Sequence, residues 1–170
     1  MAASRYEKYV VRKPGVITSV TADSVKIEVP EGNIPRINDV DTGPLVILSD
    51  DLVKEANTKV EYGFISGDTT IGGGTGFGAH KHDYAEVFLF RGTNPQDTTD
   101  LGAEVEFWLG EGNELEKIKI STSSSVYVPP GVAHFPLFYR NVKRPVMMEV
   151  IVPHTSKHKA IPVKREGMQR

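Results

Sequence analysis

The chain has 170 residues, no cysteine and a formal net charge of −2, which suits one domain with a substantial core. The lack of cysteine excludes a disulfide framework and a thiolate metal site, and the near-neutral charge gives no general pull toward nucleic acid or membrane. No apolar run approaches a membrane span, and the opening MAASRYEKYVVRK lacks the apolar centre of a secretory signal, so a cytoplasmic protein is expected.

Along the chain, short β-type runs are separated by Gly, Pro, Asn and Asp. Strands are expected at residues 16–20, 25–29, 45–48, 59–65, 85–90, 103–109, 115–120, 125–128, 134–139 and 146–152. Many short strands with frequent turn signals indicate a sandwich or barrel. One short helix is expected near 50–57, capped by Ser49 or Asp50, with Lys54 and Glu55 as good helix formers. No repeat or linker divides the chain. It reads as one domain, 1–170, with a barrel core at about 40–153, an amino-terminal arm at 1–39 and a polar, basic tail at 154–170. His154 and His158 are expected to be solvated in that tail.

The chemistry concentrates in His80-Lys81-His82-Asp83-Tyr84-Ala85-Glu86, answered by His134 after Pro129-Pro130-Gly131. Three imidazoles and one carboxylate can hold a divalent metal. In a strand, His80 and His82 face one way, roughly 6.6 Å apart. On a continuous strand Glu86 would lie roughly 13 Å beyond His82, so the chain must reverse between them. Asp83-Tyr84-Ala85 has the length of a three-residue hairpin loop. Such a hairpin would set His82 opposite Glu86, with Cβ atoms about 5 Å apart.

Alternation assigns the remaining faces. Glu86, Phe88 and Phe90 share the inward side, and Val87 and Leu89 the other; with both sides apolar, that strand is expected to be covered on both. Tyr62 and Phe64, and Phe135 or Phe138 beside His134, are the other candidates for an aromatic lining. Tyr62 and Tyr84 are the candidates for a proton donor. In 103–109 the apolar set Ala103, Val105, Phe107 and Leu109 makes the core face and leaves Glu104 and Glu106 in water. Glu149 interrupts an apolar strand and needs a partner such as Arg. The run Gly72–Gly78 lacks the Gly-Lys-Ser/Thr ending of a phosphate cradle and opens no helix; its glycines allow sharp turning and close approach.

These residues resemble a family. Gly74-x5-His80-x-His82-x3-Glu86, with Gly92 near its close, resembles the first motif of the cupin superfamily, and Pro129-x-Gly131-x2-His134 resembles the second. Ser123 stands where the second motif opens with glycine, Phe138 stands where it closes with asparagine, and the spacing from Glu86 to Gly92 is one residue short. The resemblance implies a double-stranded β-helix, a jelly-roll-like barrel, holding one divalent cation through His80, His82, Glu86 and His134. It also implies a homodimer, which an apolar outer sheet face and the amino-terminal strands would suit.

Imidazole and carboxylate ligands accept zinc, iron, manganese, nickel or cobalt. Such an ion keeps a net charge near +1 and suits a small anionic ligand. The expected function is a metal-dependent enzyme on a small oxygenated or carboxylated molecule, as a dioxygenase, isomerase or lyase. The alternative is a non-catalytic small-molecule-binding or sensor protein with the same site. Neither nucleic acid nor membrane is an expected partner.

Overall fold

The computed structural model describes residues 6–31, 45–73, 78–155 and 157–165. Thirteen strands account for half of them: β1 Gly15–Val20, β2 Val25–Glu28, β3 Leu45–Leu48, β4 Lys59–Ile65, β5 Thr69–Ile71, β6 His80–Lys81, β7 Glu86–Gly92, β8 Asp100–Leu109, β9 Glu116–Thr122, β10 Ser124–Val128, β11 His134–Arg140, β12 Val146–Val152 and β13 Ile161–Pro162. The all-β expectation holds, and strands β3, β4 and β12 run over the residues that their β-branched and aromatic content marks out. No helix among the described residues is long and apolar enough to cross a membrane.

The expected helix at 50–57 is instead a pair of tight turns. Leu52 and Val53 N–H both donate to Ser49 O, at 3.1 and 2.8 Å, and Ala56 N–H donates to Val53 O at 2.8 Å. The segment turns the chain from β3 into β4, which pair antiparallel, and a segment this short gains too few intrahelical bonds to offset the cost of nucleating a helix. The short helical turns lie elsewhere, as 3-10 turns at Glu7–Tyr9 and Gly112–Glu114.

Two antiparallel sheets form. One runs β10-β7-β12-β4-β3-β1-β2 and the other β13-β6-β11-β8-β9, with β5 added on β11. From β6 onward the chain changes sheet at almost every connection, the winding of a double-stranded β-helix. Between the sheets lies one apolar core. Phe88, Phe90, Val128, Val146, Met148 and Val150 come from the first sheet, and Leu101, Ala103, Val105, Phe107, Ile120, Phe135, Leu137 and Tyr139 from the second. The amino-terminal strands belong to the first sheet: β1 pairs with β3 and extends it.

Alternation explains most faces. In β7, Glu86, Phe88 and Phe90 are buried, whereas Val87 and Leu89 are half-buried, so the outer side is only partly covered. In β8, Glu104 is exposed, while half-buried Glu106 accepts a 2.7 Å hydrogen bond from Trp108 Nε1. Glu149 finds its arginine: Arg91 Nε lies 2.9 Å from its carboxylate. Gly92 marks a close approach, since a Cβ there would sit 1.8 Å from Asp100 O. Ser123, at the motif's glycine position, accepts the Gly92 N–H on its Oγ at 3.1 Å.

Candidate metal centre

The site lies between the sheets. His80 and His134 are direct cross-strand partners in β6 and β11, and Glu86 opens β7 in the facing sheet. The expected hairpin between His82 and Glu86 therefore does not exist. Strand β6 pairs with β11 and β13, and β7 with β10 and β12. Residues 83–85 carry the chain across the sandwich, and convergence is across the core rather than along one ladder. The proline-rich turn is fastened beneath it, with Gly131 N–H donating to His82 O at 2.7 Å.

All four polar side chains are buried: His80, His82, Glu86 and His134 are 4%, 3%, 7% and 0% exposed. One nitrogen from each imidazole lies within 4.8 Å of the others. Each Nδ1 is engaged by a carbonyl two residues away: His80 with Gly78 O at 2.9 Å, His82 with Tyr84 O at 2.7 Å, and His134 with Val132 O at 3.2 Å. Those bonds fix the Nδ1–H tautomer and leave Nε2 as a lone-pair donor, the arrangement common to metal-bound histidine.

The Nε2 atoms of His82 and His134 have no hydrogen-bond partner. They nonetheless stand 3.4 and 3.3 Å from the two Glu86 oxygens. Lone pairs thus face lone pairs in a buried space, which a cation between them reconciles. Donors about 2.1 Å from one ion lie roughly 3.0–3.5 Å apart, so these spacings fit. The imidazole nitrogens, up to 4.8 Å apart, must close by as much as about 1.3 Å to reach the same spacing. Burial acts to raise the Glu86 carboxyl, but when a proton takes the cation's place on the His134 or His82 Nε2, the hydrogen bond and charge it brings outweigh burial and hold the carboxyl well below the usual range. Burial, then His134, push the His80 imidazole down to about 4, which keeps it neutral and able to ligate near pH 7.

The aromatic candidates separate. Phe135 stacks on His80 with centroids 5.5 Å apart, and Phe88 lies 5.8 Å from His134. Phe90 packs deeper, against Phe107 and Tyr139. Phe138 lies on the opposite side, half-buried on Trp108 and under the Arg140 guanidinium. A register shift between His134 and Leu137, with Phe135 at φ 72°, re-phases β11 so that simple alternation from His134 fails. Tyr62 and Phe64 are also turned away: they pair edge-on at 6.1 Å, and Tyr62 lies opposite Glu149 on the outer face. The inward residues of β4 are Lys59, Glu61 and Gly63. The alternation of Lys59-Val60-Glu61-Tyr62-Gly63-Phe64 contained that signal, but weighting aromatics over charges hid it.

Tyr84 does reach the site. Its ring stacks on His82 at 3.9 Å and 8°, and burial, then Glu86, push its hydroxyl up to about 12. His158 is not solvated. It is half-buried, 6.4 Å from the His80 ring, with Nε2 3.1 Å from Thr21 O. Residues 157–165 are tied down by β13 on β6 and by Val163 N–H donating to Ala79 O at 2.8 Å. Residues 74–77, which include the first glycine of the first motif, lie outside the described residues.

Fold and cluster together define a double-layered all-β protein: two facing antiparallel sheets with three imidazoles and a carboxylate between them. No protein-family model matches the chain, and no curated protein sequence matches it. Among solved structures, it is similar to a cupin-2 domain protein from Rhodospirillum rubrum, with 10% identity over 74% of this chain and 66% of that one and a TM-score of 0.45. It is also similar to an oxalate oxidase, with 12% identity over 90% and 79% and a TM-score of 0.48. A third is the polyketide cyclase RemF from Streptomyces resistomycificus, with 11% identity over 75% and 73% and a TM-score of 0.45. The chain thus spans just under two thirds of the first of these, and such distant likenesses carry nothing about activity.

Proposed function

We propose that this chain is a divalent-metal-binding cupin acting as an enzyme on a small oxygenated or carboxylated molecule, of the dioxygenase, isomerase or lyase kind. The observation that carries the reading is the pair of buried Nε2 lone pairs facing a buried carboxylate. His80, His82, Glu86 and His134 are the residues that would hold the ion. When bound, it supplies Lewis acidity to an oxygen donor, and iron adds redox chemistry. The chain's own groups do the rest. The Nδ1–carbonyl bonds and the Tyr84 ring hold the imidazoles in place, and Phe88 and Phe135 keep water from the inner side. The half-exposed outer face around Tyr62, Phe64, Val87 and Leu89 supports a homodimer through the first sheet; sedimentation as a monomer at micromolar concentration would count against it.

The direct test is elemental analysis of untagged protein beside a His80→Ala/His134→Ala variant, both purified without added metal. About one equivalent of one transition metal is expected in the wild type and none in the variant. No metal, with no uptake on titration, overturns the reading.

A further inference from the structure

Beside the four-residue cluster stands a second buried polar pair. Lys59 and Glu61 are 6% and 8% exposed on the inner face of β4. A buried ammonium and carboxylate are costly unless well paired and hydrogen-bonded. This pair is poorly matched. Lys59 Nζ is 3.6 Å from Glu61 Oε1, beyond the 2.7–2.9 Å of a charge-assisted bond, and Glu61 Oε2 has no hydrogen-bond partner.

Register places the pair beside the metal centre. Lys59 is opposite Val152, and Glu61 is opposite Val150, which is opposite Phe88 on its other side. Continuing that ladder puts Lys59, Val152 and Glu86 in one inward row. Lys59 and Glu86 are thus two strand spacings apart, roughly 10 Å between backbones, with a long lysine stem to cross part of it. Glu61 is close enough to feel the Glu86 charge, and His158 feels Lys59, Glu86 and His82 together.

We propose that Lys59 and Glu61 form the second half of the ligand site: Lys59 receives the anionic group of a small hydroxy-carboxylate whose oxygen donors lie at the metal, and Glu61 accepts the hydrogen bond of its hydroxyl. The inference rests on the metal reading above. The long ion pair is then the resting state: the ligand's carboxylate takes the lysine, and Glu61, already lacking a partner on Oε2, finds one.

The test uses cobalt-loaded full-length protein and two probes of one shape, lactate and its neutral amide, lactamide. Binding is read by calorimetry and by the visible cobalt spectrum. Wild type is expected to bind lactate at least tenfold tighter than lactamide. Lys59→Met should lose most of that preference with lactamide binding unchanged, and Glu61→Leu, which removes the acceptor of the hydroxyl hydrogen bond, should weaken both probes. Lys59→Met strands a buried carboxylate, so the double variant Lys59→Met/Glu61→Leu is made as well; it should fold, take up cobalt and likewise lose most of the preference. Wild type that takes up no cobalt overturns the metal reading and this inference with it. Wild type that takes up cobalt and binds the two probes equally, or not at all, overturns the inference alone, as does either Lys59 variant that keeps the preference.

Discussion

Acid should weaken the metal-free protein through His80, by an amount that burial sets. The imidazole is 4% exposed and its pKa is pushed from 6.5 down to about 4, first by burial and then by His134. Because the folded value is below the unfolded one, the unfolded chain binds more protons across this window. Stability is therefore complete above pH 6.5 and is lost as pH falls toward 4. Two and a half units correspond to about 3 kcal/mol, at a slope of at most about 1.4 kcal/mol per pH unit. His158 is lowered in the same direction and adds to the slope, whereas Glu86, with its low value, acts only below the ordinary carboxylate range. The assay is urea unfolding in chelator from pH 7.5 to 4.5, for wild type and His80→Phe. The variant keeps a ring against Phe135, so its slope should fall by about one proton whatever its absolute stability. An unchanged slope between pH 6.5 and 4.5 would refute the reasoning and place the proton elsewhere in the cluster.

Other outcomes follow from single contacts. Tyr139 is fully buried with no partner for its hydroxyl; Tyr139→Phe should stabilise the protein by about 1 kcal/mol in chemical denaturation, and destabilisation would reveal a bound partner. Phe88→Ala should cost roughly 3–5 kcal/mol, whereas Phe138→Ala, on the outer face, should cost roughly 1 kcal/mol; equal losses would contradict the re-phasing of β11. Gly92→Ala drives a Cβ into the Asp100 carbonyl and should cost more than about 3 kcal/mol; a melting temperature within two or three degrees of wild type would show that the strands can separate there.

The sequence by itself determined the fold class, most strand positions and the identity of the four polar groups that converge. Period-two alternation and turn residues are local signals, so β3, β4 and β12 were legible, as were the inward side of β7 and the arginine partner that Glu149 required. Tertiary structure alone decided how those groups meet. His82 and Glu86 come together because β6 and β7 belong to facing sheets, a pairing no spacing along the chain encodes. The bulge in β11 inverted the side on which Phe138 falls, and the path of residues 157–165 brought His158 to a site from which it is distant in sequence. A buried charge such as Lys59 or Glu61 is tolerated only when non-local neighbours surround it, so its position follows from the assembled sheets and not from its own strand.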